Sequence, residues 1–253
     1  DESKKWFITF GAGSDNYIVA GNRLCNQIYK LEIFDKIIFY TDTDLQKDDE
    51  FWGKNKEFIE NNKRGYGYWL WKPYIIKKTL AMMNEGDILC YLDSGCEASN
   101  RKKGNLINAL KCVKDDLIIY SSTTNIESQW TKRDLFEYLN MNTNQYLNSA
   151  QCQAGALLIY KNNKVTNIID EWYSIGCNYN LINDSPSLLK NTDIFKEHRH
   201  DQSILSLLLK IKYSSGFQTM GQGFLAQIET CYSYPTSQQK KEGPELDWQL
   251  STE

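Results

Sequence analysis

Three short stretches of this sequence gather the side chains that can handle charge. In the first, Gly86-Asp87-Ile88-Leu89-Cys90-Tyr91-Leu92 reads as an apolar strand that stops abruptly at Asp93 and runs on into Ser94-Gly95-Cys96-Glu97. Ligands of open α/β sheets bind at the carboxyl ends of strands. A carboxylate placed there can hold a divalent cation that bridges a diphosphate, and a nearby glycine lets phosphates approach the backbone. The structural alternative is that Asp93 caps a turn and Gly95 supplies a positive φ. The second stretch, Arg64-Gly65-Tyr66-Gly67-Tyr68-Trp69-Leu70-Trp71-Lys72-Pro73, crowds aromatics, glycines and two cations into ten residues. Arg64 suits bidentate contact with phosphate and Lys72 acts as a point charge; an aromatic loop packed on the sheet is the alternative. The third stretch, Glu197-His198-Arg199-His200-Asp201-Gln202-Ser203-Ile204-Leu205, holds the only two histidines. It places Asp201 at a helix start, where its charge suits the helix dipole and a plain N-cap is the alternative.

The elements that must position these stretches alternate between strand and helix, the signature of a largely parallel sheet with crossover helices. Trp6–Phe10 is the first strand, ended by Gly11 and Gly13, and a helix follows over about 16–34. Lys36–Tyr40 is a buried strand and Thr41-Asp42-Thr43-Asp44 a polar turn. Pro73 suits a first helical turn, so a helix is predicted from there to about Asn84, stopped by Glu85-Gly86. After the central strand Asp87–Leu92, helices are predicted near 104–113, 132–139, 164–177 and 201–210, with strands over 117–121 and 154–160. Residues 178–197 read as a polar loop. No internal repeat or Pro/Gly-rich linker divides the chain, so one domain is expected over 1–235, with 236–253 a flexible tail. Gly11-Ala12-Gly13 lacks the third spaced glycine of a dinucleotide fingerprint, which argues against a dehydrogenase.

The bulk properties narrow the class. With 253 residues the chain can bury a sizeable core. Its 29 basic and 32 acidic residues give a net charge of −3, unlike a nucleic-acid binder with a basic face. Arg101-Lys102-Lys103 and Lys240-Lys241 read as solvated turns. No stretch approaches the roughly 18 apolar residues of a membrane span. Asp1-Glu2-Ser3-Lys4-Lys5 lacks a Met and a hydrophobic signal core, so the chain is expected to be an excised part of a longer protein that carries other catalytic domains or an anchor. Cys25, Cys90, Cys96, Cys112, Cys152, Cys177 and Cys231 show no CxxC spacing; their odd number and apolar neighbours predict reduced, mostly buried thiols in a cytoplasm-like compartment. Neither histidine lies near a cysteine pair, which argues against zinc. Aromatic residues make up 13% of the chain, a supply that suits packing on sugar faces but is also ordinary core material.

The succession GYGYWLWKP, a helix, then GDILCYLDSGCE resembles the core of GT-A glycosyltransferases, most of all those of giant algal and amoebal viruses and of bacterial surface-polysaccharide clusters. The segment HDQSIL resembles the Asp-Gln-x-Ile-Leu segment of glycogenin-like and galactosyltransferase-like family 8 enzymes. The resemblance spans about residues 6–225. It implies an α/β GT-A fold, a mostly parallel central sheet flanked by helices. It also implies transfer of a hexose or pentose from a nucleotide-diphosphate sugar, UDP-sugar foremost, to a glycan acceptor. The Asp-Gln pair tilts the expectation from inversion toward retention, and a viral origin would place the protein in the host cytoplasm.

Carried onto this sequence, the resemblance makes Asp201 and Gln202 the catalytic pair at the sugar face. Asp93, Ser94 and Gly95 would hold the nucleotide-sugar, with Asp93 the metal ligand. The family's Asp-x-Asp motif has Gly95 in place of its second aspartate, so Asp93 ligates alone or with Glu97, and the cation expected is Mn2+ or Mg2+. Arg64 and Lys72 would face phosphate, with Tyr68 and Trp71 beside them. Phe10, Gly11 and Ala12 would seat base and ribose, while Asn22 and Arg23 on the next helix reach the phosphates. Gln153, Ala154 and Gly155 would line the donor-sugar and acceptor pocket, and His200 or His198 would touch phosphate or acceptor. Two readings compete: a non-catalytic carbohydrate- or nucleotide-binding module, and a phosphoesterase or nucleotidyltransferase on a similar sheet.

Overall fold

In the computed structural model the described residues are 3–212, apart from 14, 117 and 121. The first half of the chain runs β1 (Lys5–Gly11), α1 (Asp15–Lys30), β2 (Lys36–Thr41), α2 (Asp42–Lys47), α3 (Asp49–Asn61), α4 (Gly65–Tyr68), α5 (Trp71–Met82) and β3 (Ile88–Leu92). A short 3-10 turn (Asn100–Lys102) leads into α6 (Lys103–Asp116), β4 (Ile118–Ile119), β5 (Ser122–Ile126), α7 (Glu127–Trp130), α8 (Arg133–Tyr138) and α9 (Asn144–Leu147). Then come β6 (Ala150–Cys152), β7 (Ala156–Tyr160), α10 (Asn163–Gly176), α11 (Tyr179–Ile182) and α12 (His200–Lys212). The predicted tail 236–253, Cys231 and Lys240-Lys241 lie outside the described residues.

The main sheet has the order β2-β1-β3-β7-β4. β1 pairs parallel with β2 and β3, and β7 runs antiparallel to both β3 and β4. Four strands therefore point one way and β7 alone runs back. This is the α/β class, mostly parallel and flanked by helices, that the sequence predicts. The reversal of β7 has a functional consequence: Leu92, the last residue of β3, pairs with Ala156, the first of β7. The end of β3 and the start of β7 thus meet at one edge, and the end of β1 comes alongside.

Alternation along the strands supplies two apolar faces, as expected of a sheet covered on both sides. Phe7, Ile37, Phe39, Ile88, Cys90 and Leu92 pack with Leu24 and Ile28 of α1 and Leu110 and Val113 of α6. Trp6, Ile8, Ile38, Tyr40, Leu89 and Tyr91 pack on the other face with Ile75 of α5, Trp172 of α10 and Leu205 and Leu208 of α12. Period two then sends residue 93, following Tyr91, toward the face that carries α5 and α12.

The structure corrects several boundaries. α5 opens at Trp71, two residues before Pro73, and the predicted strand 154–160 begins at Ala156. Of the predicted strand 117–121, Ile118–Ile119 forms β4, and both ends of the range fall outside the described residues. The 178–197 loop contains α11. Thr41-Asp42-Thr43-Asp44 is not a turn but a capping box that starts α2, with Asp44 reaching back to the Thr41 N–H at 2.7 Å. Asp48 caps α3 by accepting from the Phe51 N–H at 3.1 Å. The six described cysteines are free, with Cys25, Cys90, Cys96 and Cys152 buried, Cys177 partly buried and Cys112 exposed. No described helix is long and apolar enough to cross a membrane.

Candidate active site at the strand ends

The strand-end edge opens into a cleft of about 1570 Å³. Its floor is an ion triad. Lys72 from α5 places its ammonium 2.8 Å from Asp201 Oδ2 at the start of α12 and 3.3 Å from Asp93 Oδ1 beyond β3. Lys72 and Asp201 are only 4% and 6% exposed, whereas Asp93 is 46% exposed and faces the cleft. The Tyr91 hydroxyl, two residues back on the same face, donates to Asp93 Oδ1 at 2.5 Å. Asp201 Oδ2 has no hydrogen bond of good geometry, so the 2.8 Å approach of Lys72 serves it as an ion pair.

Burial and charge set the protonation states here. Burial opposes the charge on Lys72, but the carboxylates of Asp201 and Asp93 outweigh it and hold its pKa above the ordinary lysine value. Burial also raises Asp201, to about 6, with Lys72 resisting and Asp93 reinforcing the shift. Tyr91 is pushed well up by burial and then by Asp93, so it stays a donor.

The approach to Lys72 is an unusual piece of backbone. Gly65, Tyr66, Gly67, Tyr68 and Trp69 all have positive φ, at 58°, 50°, 83°, 54° and 62°. They form one left-handed turn, closed by Tyr68 N–H to Arg64 O at 2.8 Å and Trp69 N–H to Gly65 O at 3.0 Å. Each non-glycine residue there costs roughly 1–2 kcal/mol, and such strain persists where surroundings over-determine it. Rings supply that determination. Trp71 stacks on Phe10 with centroids 3.9 Å apart and donates from Nε1 to Gly65 O at 2.9 Å. Trp69 stacks on His200 at 5.2 Å, and His200 is itself left-handed at φ 54°. The turn thereby aims Lys72 inward. Gly67 suits it because its φ of 83° is one that residues with a side chain rarely adopt. Gly67→Ala is expected to destabilise the fold by at least ~1–2 kcal/mol, read as a lower midpoint in urea.

Asp93 is held by glycine as well. Its N–H donates to the Gly155 carbonyl at 2.8 Å, and a Cβ on Gly155 would come within 2.7 Å of Asp93 Oδ2. Gly155→Ala should displace the carboxylate and lower turnover about 10²-fold while leaving the thermal midpoint nearly unchanged. Parallel loss of stability and activity would refute a local effect. Gly95 is not among the positive-φ glycines, and the Asp93 carboxylate meets Tyr91 and Lys72 rather than the turn. Asp93 does open a turn, but through its carbonyl, which accepts from the Cys96 N–H at 2.9 Å, and not through its carboxylate.

Of the other residues singled out in the sequence, Phe10, Gly11, Ala12, Arg64, Trp71, Ser94, Gly95, Gln153, His200 and Gln202 line the cleft. Arg23, Tyr68 and Ala154 do not. Arg23 is buried and donates to the carbonyls of Cys96 at 2.6 Å and Ser94 at 3.0 Å, so it shapes the loop after β3. Tyr68 packs between Phe58 and His200, and Ala154 is fully buried with its N–H on Gln202 Oε1 at 3.2 Å. Arg64 is already matched by Asp184, at 2.7 Å, and by Glu197. His200 Nε2 meets Asp184 Oδ1 at 2.8 Å, and burial lowers its pKa, so it is neutral near pH 7. His198 is structural: its Nδ1 accepts from Lys132 N–H at 3.1 Å and Nε2 lies 2.8 Å from Leu181 O, with burial taking its pKa down to about 3.

Gln202 is clamped at both ends of its amide, since Nε2 donates to Gln151 Oε1 at 2.8 Å. Gln151 in turn donates to Glu127 Oε1 at 2.8 Å, and Glu127 is fully buried against Lys210 at 2.8 Å. Trp172 Nε1 donates to the Asp201 carbonyl at 2.9 Å and pins the first turn of α12. Sequence reasoning missed Tyr91, Asp184 and Glu127. For Tyr91 a signal existed, its i, i+2 relation to Asp93; the other two act over separations that no local pattern reports.

Two carboxylates, Asp93 and Asp201, face one point of the cleft, and the Lys72 ammonium lies between them. Among the described residues no group of three or more His, Cys, Asp or Glu could hold a metal ion. A dication that also binds substrate phosphates and water needs only one or two protein carboxylates, and here a buried ammonium stands between the two aspartates. Glu97 does not line the cleft, and burial raises the Cys96 thiol, so it is no thiolate ligand.

No protein-family model and no curated protein sequence matches the chain. Among solved structures it is similar to mouse xyloside xylosyltransferase 1 in its apo form, at TM-score 0.47 and 9% identity over 86% of each chain. It is also similar to the galactosyltransferase LgtC in complex with donor and acceptor sugar analogues, at TM-score 0.38 and 16% identity over 79% of this chain and 69% of that one. A third likeness is to 4-diphosphocytidyl-2C-methyl-D-erythritol synthase from Anaerococcus prevotii, at TM-score 0.36 and 13% identity over 87% and 86%.

Proposed function

We propose that the chain is a GT-A-type glycosyltransferase that moves a hexose or pentose from a nucleotide-diphosphate sugar, UDP-sugar foremost, to a glycan acceptor in the cytoplasm. The observation that carries this reading is the convergence of Asp93, Lys72 and Asp201 at the ends of parallel strands, on the floor of one large cleft. Apart from Arg64, which Asp184 and Glu197 neutralise, and the Lys72 triad, the cleft is lined by Lys56, Lys63 and Arg199 against Glu60 alone, a local excess of positive charge that favours a diphosphate. The Phe10–Trp71 stack offers an aromatic floor for a base. Lys72 would stabilise charge on the leaving diphosphate, the type of contribution that dominates many transfer reactions. The clamped Gln202 amide would fix the sugar face.

Retention of configuration fits this geometry better than inversion. Inversion needs a carboxylate base at the acceptor hydroxyl; Asp93 and Asp201 are both committed to Lys72, so among the described residues lining the cleft that role would fall to Glu60. The test is a panel of UDP- and GDP-sugars with product analysis. Nucleoside diphosphate plus transferred or released sugar is the expected outcome. Nucleoside monophosphate plus sugar phosphate would instead identify a nucleotidyltransferase or phosphoesterase. Binding with no turnover would identify a non-catalytic module.

A further inference from the structure

We propose that Lys72 is the cation of this cleft: it fills the place between Asp93 and Asp201 that a divalent ion would need, and diphosphate binds without a metal. The inference rests on the nucleotide-sugar reading for its ligand, but its claim about the cation stands on the triad alone. One ammonium nitrogen lies 3.3 Å from Asp93 Oδ1 and 2.8 Å from Asp201 Oδ2. An ion bridging the same two oxygens would have to approach each to roughly 2.0–2.6 Å, in the space that nitrogen occupies. Lys72 is held against rings and carboxylates on the cleft floor. It is 4% exposed, follows directly on the left-handed turn, and sits 5.4 Å from the Tyr91 ring centroid and 5.9 Å from that of Trp71.

The remaining oxygens point the same way. Asp93 Oδ1 already accepts from Tyr91, and Asp93 Oδ2 lies against Gly155. The position where an Asp-x-Asp site would add a second carboxylate is Gly95. An ammonium has three N–H groups; two face the aspartates, which leaves one for a phosphate oxygen. Lys56, Lys63 and Arg199 on the cleft wall add the rest of the positive charge a diphosphate needs.

Two measurements on the intact chain test this. The first follows Mn2+ alone by electron paramagnetic resonance. Wild type is expected to leave the free-ion signal unchanged, and Lys72→Met, which empties the place between the aspartates, is expected to gain affinity for Mn2+ by about tenfold or more. One-to-one Mn2+ binding by wild type, or no gain in a folded Lys72→Met, overturns the proposal. The second titrates UDP calorimetrically in chelator and then with Mn2+; equal affinity is expected, and binding tightened by about tenfold or more with Mn2+ overturns it. If UDP binds under neither condition, the nucleotide-sugar reading fails while the Mn2+ measurement still decides the cation. The wild-type arms need no variant, so the test holds even where Lys72→Met does not fold.

Discussion

Asp201→Asn is expected to lower kcat/KM by roughly 10²–10³ and to remove the acid limb of its pH profile. Asp201 is the partner nearest the Lys72 ammonium, at 2.8 Å, and it reaches that place only because Trp172 and the Gln202 network hold the first turn of α12. In wild type the Asp201 carboxyl is raised to about 6, by burial first and by Asp93 second. Protonated, it no longer holds Lys72. Turnover should therefore rise with pH through about 6 and level off above it. The asparagine variant has no group to titrate there, so its residual activity should be flat across that range. A variant profile that keeps the wild-type acid limb would assign the limb to another group.

Stability should move in the opposite direction over the same interval. The folded carboxyl binds its proton more tightly than an unfolded aspartate, whose pKa is about 3.9. Between about 4 and the folded value of about 6 the folded state therefore holds more protons than the unfolded one, and stability falls as pH rises. Below that window this contribution is fully present, and above it the loss is complete. Urea midpoints for wild type and Asp201→Asn, compared across the window, should differ in slope with that sign.

Lys72→Ala should be the most destabilising of the substitutions considered, by about 3–5 kcal/mol. The reason is not the loss of a favourable ion pair but what remains. Asp201, 6% exposed, would keep a charge in a buried place with no other partner for Oδ2. Part of the loss is relieved by protonation, since removing the nearby cation raises the carboxyl further, so the variant should be least damaged at acid pH. The double variant Lys72→Met/Asp201→Leu separates stability from function. Replacing a buried pair with apolar groups of similar size is often neutral or stabilising, so its unfolding midpoint should recover while UDP binding stays lost. Recovery of binding along with stability would show that the pair serves the fold only.

The alternation of strand and helix, the apolar strands and the three stretches that line the cleft were all legible in the order of the residues. Their signals are local: period two along β3, a strand broken by Asp93, an aromatic run broken by glycines, a carboxylate at a helix start. From the same local logic the start of α2 was legible too, in Thr41 and Asp44, although a polar four-residue run reads equally as a turn. Tertiary structure alone decided the rest. It turned β7 antiparallel and so brought Gly155 against Asp93. It folded Arg23 under the loop after β3, clamped Gln202 through Gln151 and the buried Glu127, and matched Arg64 to Asp184 and Glu197. It also placed Lys72, Asp93 and Asp201 around one point. Each of these depends on groups far apart in the chain, whose distance is fixed by how the sheet and helices pack and leaves no trace in local spacing.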